Sequence, residues 1–225
     1  MLRKRLALLI PHTDTTLETD LQRELGDEWT IHTARLWLSE VGEASEKKMV
    51  DVALPWSLSM LEGITTFDYA VFGCTSASAV YGKAGMTRIE TLLRRRLCCP
   101  AVSALGAVLD EIKVRGMPPI ALLTPYTPEV NSFMVKSLAQ FCVRTVYNNG
   151  LGIQDDADIA AVSPNEIVSF VLDHKSCLNR AGLLFLSCTN FRVLEVREEL
   201  EERLGMPVIS SNYCILRHIM AVNKL

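Results

Sequence analysis

An internal repeat of short apolar runs, each followed by a polar turn, constrains the fold of this chain most strongly. The run 71–76 (VFGCTS) returns as 185–190 (FLSCTN), and 6–11 (LALLIP) returns as 120–125 (IALLTP). Both pairs are 114 residues apart, from 74 to 188 and from 6 to 120. An equal offset over that distance indicates a duplication, so we predict two copies of one structural unit.

A third pair locates an insertion. The segment 96–103 (RLCCPAVS) resembles 203–210 (RLGMPVIS), but the offset has fallen to 107 residues, from 100 to 207. Seven residues are therefore extra in the first half. We expect them in the segment 81–86 (YGKAGM), as a glycine-bearing loop after the first cysteine.

Short aliphatic runs alternate with longer amphipathic stretches, which is typical of βα units around a buried parallel sheet. The predicted strands are 6–10, 29–34, 69–73, 101–104, 120–124, 143–147, 182–187 and 208–210. The predicted helices are 17–25, 44–62, 87–97, 130–141, 164–174 and 194–204. We therefore predict an α/β fold of two similar lobes, each a short parallel sheet flanked by helices. A pseudo-twofold axis would relate the lobes and place the active site between them.

Composition narrows the classes of function. The chain has 225 residues, 49% of them hydrophobic, and a net charge of −3 with scattered basic residues, which argues against a nucleic-acid partner. No apolar run approaches the ~18 residues of a membrane span, and the run 6–10 is shorter than the core of a signal peptide. Seven cysteines without a framework spacing fit a reducing compartment, so we expect a soluble cytoplasmic protein.

The two repeated cysteines, Cys74 and Cys188, each follow a predicted strand. Ligands bind beyond the carboxyl ends of strands in open parallel sheets, so facing lobes would bring both thiols to one cleft. The strand-to-helix turns there offer backbone N–H groups to a carboxylate. A thiol at a helix N-terminus can have a lowered pKa, which would leave one thiolate and one thiol near neutral pH.

Two opposed thiols permit two reactions without a cofactor. They can remove a proton from one face of the carbon next to a carboxylate and return one to the other face, which inverts that centre. Alternatively, a thiolate adds to an activated alkene while the other thiol donates a proton, and rotation followed by elimination exchanges cis for trans. The spacing of the cysteines does not choose between these reactions.

The chain resembles the aspartate/glutamate racemase superfamily, in the branch that contains maleate cis-trans isomerases, arylmalonate decarboxylases and ectoine-utilisation proteins. The resemblance covers nearly the whole chain. It rests on the family's order of 11–18 (PHTDTTLE), the two cysteine blocks, 124–126 (TPY) and 152–156 (GIQDD). It implies lobes of 1–97 plus 208–225 and of 98–207, with the C-terminal segment crossing back to the first lobe.

The same resemblance implies roles for the site residues. Cys74 would be the thiolate nucleophile or base, and Cys188 the opposing acid or base. The residues expected to bind substrate are Asp14, Thr75, Ser76, Tyr126, Asp156, Thr189 and Asn190. Decarboxylase members normally have glycine at the first cysteine position, so Cys74 argues against decarboxylation. Amino-acid racemases of the superfamily typically have an Asp-Ser-Gly near the start and a histidine soon after the second cysteine, whereas this chain has no Asp-Ser-Gly and has Thr189 and Asn190 after Cys188.

Two departures from the family bear on the substrate. Maleate isomerases usually have asparagine where this chain has Asp14 and Asp156. An amide can donate a hydrogen bond to a substrate carboxylate, whereas an ionised carboxylate can only accept one. One hypothesis is therefore that the substrate carries an ammonium or amide group at one end.

The resulting expectation is a cofactor-independent, two-cysteine isomerase of a small carboxylate, most like maleate cis-trans isomerase. A racemase of an amino-acid derivative is the alternative, and a decarboxylase or a non-catalytic ligand-binding protein is less favoured. No metal site is expected, because the cysteines form no Cys-x-x-Cys pair with a partner histidine. No membrane partner is expected either, and a homo-oligomer is compatible with the sequence.

Overall fold

The computed structural model describes residues 3–222 and contains two four-stranded parallel sheets. The first half supplies strands β1 (Lys4–Pro11), β2 (Trp29–Leu36), β3 (Tyr69–Phe72) and β4 (Ala101–Ser103). The second half supplies β5 (Ile120–Tyr126), β6 (Thr145–Ile153), β7 (Leu183–Leu186) and β8 (Val208–Ser210). The strand orders, β2-β1-β3-β4 and β6-β5-β7-β8, repeat one topology. This confirms the predicted α/β fold with two similar sheets.

The register of the sheets follows the sequence repeat. Leu6 pairs with Tyr69 in the first sheet, and the residues 114 positions later, Ile120 and Leu183, pair in the second. The last strands keep the shorter offset, because Ala101 of β4 is paired in the same way as Val208 of β8. Each half of the chain therefore forms its own complete four-stranded sheet.

Strand β1 shows why the central strands read as continuous apolar runs. Leu6, Leu8 and Ile10 point into one hydrophobic cluster, while Ala7 and Leu9 point into another on the opposite face of the sheet. Successive side chains of a strand alternate between faces, and both faces of a parallel sheet are covered by helices. An alternating polar pattern is therefore absent from this strand.

Helices connect the strands and cover the sheets. In chain order they are α1 (Leu17–Leu25), α2 (Glu43–Lys48), α3 (Leu54–Ser59), α4 (Thr75–Ala79), α5 (Gly82–Leu97), α6 (Ala104–Val114), α7 (Pro128–Gln140), α8 (Asp156–Ala161), α9 (Pro164–Asp173), α10 (Arg197–Leu204) and α11 (Ser211–Val222). A π-helical turn, Met49–Ala53, joins α2 to α3, where one helix was predicted. Pro55 explains the break, since its nitrogen cannot donate to the helical ladder.

The predicted loop at 81–86 is wrong. Helix α5 begins at Gly82 and runs for 16 residues, whereas its counterpart α10 has 8, so the extra residues of the first half lengthen a helix. Gly82 has a φ of 59°, which lets the chain turn sharply into α5 after the two turn residues, 80 and 81, that follow α4.

Sheet membership differs from the predicted division of the lobes at two strands. Strand β4 pairs with β3 in the first sheet, and β8 pairs with β7 in the second, because each repeat keeps its own last strand. Helix α11, which follows β8, packs against α1 and α6. Residues 1, 2 and 223–225 of that division lie outside the described residues. Within residues 3–222, no helix is both long and apolar enough to cross a membrane.

Candidate active site

The two repeated cysteines lie at equivalent strand ends. Cys74 follows β3 and is the N-terminal capping residue of α4, and Cys188 follows β7 two residues after its end. Each is only 5% exposed, and each is a free thiol. The sequence folds this way because each apolar strand is buried on both faces and the following polar residues end it.

Direct hydrogen bonds join the two cysteine turns. The Thr189 hydroxyl donates to the backbone oxygen of Gly73 over 3.2 Å. The Ser211 hydroxyl accepts two hydrogen bonds, from Thr75 Oγ1 at 2.8 Å and from the backbone N–H of Cys188 at 3.3 Å. Residues from the ends of β3, β7 and β8 therefore form one buried cluster.

Cys188 has an unusual backbone conformation. Its φ is 110°, in a region that L-residues other than glycine rarely adopt. Such a conformation costs of order 1–3 kcal/mol and persists only where the surrounding structure enforces it. The hydrogen bond from Asn190 N to Cys188 Sγ, 3.3 Å long, closes the turn that holds the sulfur in place.

Burial raises the pKa of both thiols well above the usual value. Nearby acids add to this effect, Glu46 at Cys74 and Asp156 at Cys188. The expected lowering of a thiol pKa is therefore wrong for this site. Helix α4 is only five residues long. The hydrogen bond from the Ala77 N–H at its start lowers the pKa of Cys74 by less than burial raises it.

Two hydroxyl groups stand beside the sulfur atoms. Tyr126, at the end of β5, is 1% exposed and hydrogen-bonds to Cys188, which lowers the pKa of that thiol against the effect of burial. Ser76 Oγ lies 3.7 Å from Cys74 Sγ. Both groups can donate to a thiolate, so each sulfur has a hydroxyl that stabilises its charged form.

Asp156 and Asn190 connect the lobes. The Asp156 Oδ2 atom accepts from Thr13 Oγ1 at 2.6 Å and from Asn190 Nδ2 at 3.1 Å. The Asn190 Oδ1 atom accepts from the backbone N–H of Thr15 at 3.0 Å. Burial raises the pKa of Asp156. The amide of Asn190, expected to bind substrate, is thus engaged by protein groups on both of its polar atoms.

Asp14 fixes the start of α1. Its Oδ1 atom accepts from the backbone N–H groups of Thr16 and Leu17, both at 2.9 Å, as a helix-capping residue does. Its Oδ2 atom is buried and has no hydrogen-bond partner among the described residues. Burial, reinforced by the charge of Asp156, raises the pKa of Asp14 to about 7. The group is therefore partly protonated near neutral pH.

A sequence model of the arylmalonate decarboxylase family matches residues 36–224. The chain belongs to the arylmalonate decarboxylase family. This confirms the predicted resemblance to that branch of the racemase superfamily. The cysteine cluster described above is the candidate active site of this family member.

The relatives of this chain include both maleate isomerases and an arylmalonate decarboxylase. A maleate isomerase from Geobacillus stearothermophilus is 21% identical over 92% of this chain and 86% of its own length. The arylmalonate decarboxylase of Bordetella bronchiseptica is 28% identical over 61% of this chain and 58% of its own. A structure of the Nocardia farcinica maleate cis-trans isomerase, with a covalently bound succinylcysteine intermediate, superposes with a TM-score of 0.86 at 18% identity. It covers 99% of this chain and 93% of that one.

Sequence reasoning missed two residues of this candidate site. Ser211 follows β8 and bridges the cysteine turns, and the repeat could have drawn attention to it, since it follows the counterpart of Ser103. Glu46, on α2, is fully buried and its charge raises the pKa of Cys74. Its sequence, EASEKK, is typical of an exposed helix, and no local pattern indicates burial.

Proposed function

We propose that this protein is a cofactor-independent cis-trans isomerase of a small unsaturated carboxylate, with Cys74 and Cys188 as its reacting groups. The observation that carries the proposal is the pair of buried thiols at equivalent strand ends, in turns joined by Thr189 and Ser211. The names of the maleate isomerase relatives, and the succinylcysteine in one of them, support this assignment.

The reaction requires the form in which the two sulfur atoms carry one proton between them, so one of the two buried thiols must first lose its proton. The Cys74 thiolate attacks one alkene carbon and forms a C–S bond, while the π electrons move to the neighbouring carbon. The Cys188 thiol gives its proton to that carbon, so the bound group becomes saturated and Cys188 becomes a thiolate. Rotation about the new single bond exchanges the positions of the two ends. Cys188 then removes the proton, the C–S bond breaks, and the trans product leaves a thiolate at Cys74.

The side chains beside the thiols match these steps. Ser76 lies beside the Cys74 sulfur, where a hydroxyl can stabilise the attacking and departing thiolate. Tyr126 and the backbone N–H of Asn190 donate to Cys188, the group that must alternate between thiol and thiolate. Burial excludes water, which protects the carbanion from protonation by solvent.

The direct test is turnover of maleate, followed by the olefinic proton signals in NMR. We expect fumarate to form, and we expect Cys74→Ala and Cys188→Ala each to lose at least about 100-fold in kcat/KM. Cys99→Ala is the matched control, because Cys99 is also buried but lies before β4, away from the cluster. Full activity in either site variant would refute the assignment of the two thiols.

A second experiment distinguishes isomerisation from racemisation. In deuterated water, a two-base racemase places deuterium at the α-carbon of a chiral substrate, whereas a cis-trans isomerase converts the olefin. Mass spectrometry of Cys188→Ser with maleate should show the mass of one added substrate molecule, located on Cys74. Deuterium exchange of amino-acid derivatives, without olefin isomerisation or an adduct, would contradict the proposed reaction.

A further inference from the structure

Glu46 is a buried carboxyl group without a protein partner. It lies on the six-residue helix α2 and is fully buried, whereas Glu43 on the same helix is exposed and bonds to Lys47 at 2.6 Å. Within residues 3–222, no group meets hydrogen-bond geometry with Oε1 or Oε2 of Glu46, although the Ser76 hydroxyl lies close enough to lower its pKa against the effect of burial. Leaving a buried polar group unpaired is costly, so an arrangement with two free oxygens needs a reason.

The position of Glu46 connects it to the reacting centre. Helix α2 packs against α4, which begins directly after Cys74. Glu46 lies beside Ser76, and when Glu46 is ionised its charge raises the pKa of both Cys74 and Tyr126. The carboxyl group therefore lies close to the first thiol and to the hydroxyl beside it.

Glu46 is protonated at neutral pH. Burial is the main cause and outweighs the nearby Ser76 hydroxyl, which lowers the pKa of Glu46. The acids that face it, Asp156 from α8 and Glu43 from its own helix, raise the pKa further, to about 8. The titratable groups of the neighbouring strand ends, Cys74 and Tyr126, are themselves neutral there because burial raises the pKa of each. The side chain thus offers one O–H donor and one carbonyl acceptor in the same plane.

A primary carboxamide matches this pair of groups. Its N–H donates to the carbonyl oxygen of the acid while its oxygen accepts the acid's O–H, so both free oxygens of Glu46 are satisfied. A carboxylate can only accept, and would set its second oxygen against the carbonyl lone pairs. An ammonium can only donate, and would leave the O–H unpaired or require the buried acid to ionise.

We propose that Glu46 is a specificity-determining residue that binds a substrate carboxamide, so that the preferred substrate is the monoamide of a cis-unsaturated dicarboxylic acid. This rests on the proposed two-thiol isomerase. The free carboxylate of such a substrate lies at the other end of the molecule, away from Glu46. A dicarboxylate would instead place a second negative charge beside Glu46, near Asp156 as well.

The test measures binding apart from catalysis. Succinamate and succinate are saturated, so neither can be isomerised, and their dissociation constants are obtained by calorimetry at about pH 6.5. We expect the protein to bind succinamate at least about tenfold more tightly than succinate. Glu46→Leu should abolish this preference, and Glu43→Gln, on the same helix but exposed, should retain it.

Glu46→Gln provides a second arm that does not depend on the folding of the leucine variant. Glutamine keeps one donor and one acceptor and cannot ionise. Between about pH 6.5 and about pH 9.5 the succinamate affinity of the unmodified protein should fall several-fold relative to that of Glu46→Gln, because Glu46 loses its O–H. An unchanged ratio would contradict the proposal.

Turnover of maleate and maleamate separates this inference from the proposed function. Equal or tighter binding of succinate, or a preference that survives in Glu46→Leu, overturns the role of Glu46 even if maleate is isomerised. A preference for succinamate that requires Glu46, without turnover of either olefin, supports Glu46 and refutes the isomerase.

Discussion

Replacing Glu46 with glutamine should change how stability depends on pH. In the folded protein the pKa of Glu46 is about 8, against 4.5 for an ordinary glutamate. Between these values the folded chain keeps the proton and the unfolded chain releases it. Raising the pH therefore favours unfolding. The stability that protonated Glu46 contributes is fully present below the unfolded-state pKa of 4.5 and is lost as the pH rises toward the folded-state pKa of about 8.

The magnitude follows from one proton per molecule. Each pH unit within this interval lowers the free energy of unfolding by about 1.4 kcal/mol through Glu46. From about pH 5.5 to about pH 7.5 the loss is about 3 kcal/mol, which glutamine does not share because it has no proton to release. Glu46→Gln should therefore gain about 3 kcal/mol relative to the unmodified protein over this range.

Urea unfolding under reducing conditions at several pH values measures this difference by linear extrapolation. The control is Glu43→Gln. The hydrogen bond from Lys47 lowers the pKa of Glu43, so Glu43 is ionised in both the folded and the unfolded protein over this range. Its replacement should leave the pH dependence of the free energy of unfolding unchanged. Parallel curves for Glu46→Gln and the unmodified protein would show that Glu46 is ionised when folded, and would refute the reasoning.

Three further changes probe the thiol cluster. Tyr126→Phe removes a donor to Cys188, so the alkaline rise of kcat/KM with pH should move to higher pH; an unmoved profile would exclude this hydrogen bond. Cys188→Gly should be about 1 kcal/mol more stable to urea than Cys188→Ala, because glycine adopts a φ of 110° freely; equal stability would argue against backbone strain. Asn190→Ala should lower the free energy of unfolding by about 2–4 kcal/mol, since it leaves Thr15 N–H and Asp156 without their partner; a loss below about 0.5 kcal/mol would contradict this.

The repeat predicted the sheets well because the register of the strands follows from the positions of their apolar residues. The offset of 114 residues reappears in the pairing of Leu6 with Tyr69 and of Ile120 with Leu183. It also placed Cys74 and Cys188 at equivalent strand ends. These are local patterns that duplication copied together.

Helices α6 and α11 were not predicted, because no clear local pattern of apolar residues marks them. Helix α6 buries five consecutive residues, 104–108, and so is buried on all sides of its first turn, which obscures the helical period of its sequence. The repeat contained a signal nonetheless, since both helices follow directly after corresponding strands, β4 and β8.

The charge state of the site was beyond sequence reasoning because it depends on burial. Asp14 could be proposed as a helix cap, but its unpartnered Oδ2 and raised pKa follow from the packing around it. Glu46 resembles its exposed neighbour Glu43 in every local respect. Tertiary packing alone decides which of the two carboxyl groups is shielded from solvent.

Substrate choice and thiol activation are linked at Glu46. A negative charge at Glu46 raises the pKa of Cys74, so the attacking thiolate forms more readily while Glu46 is neutral. A carboxamide bonded to both oxygens favours that neutral form. A second carboxylate would add its own charge near Cys74 and disfavour the thiolate in the same way as an ionised Glu46. A monoamide substrate therefore preserves the reactivity of the first thiol, whereas a dicarboxylate opposes it.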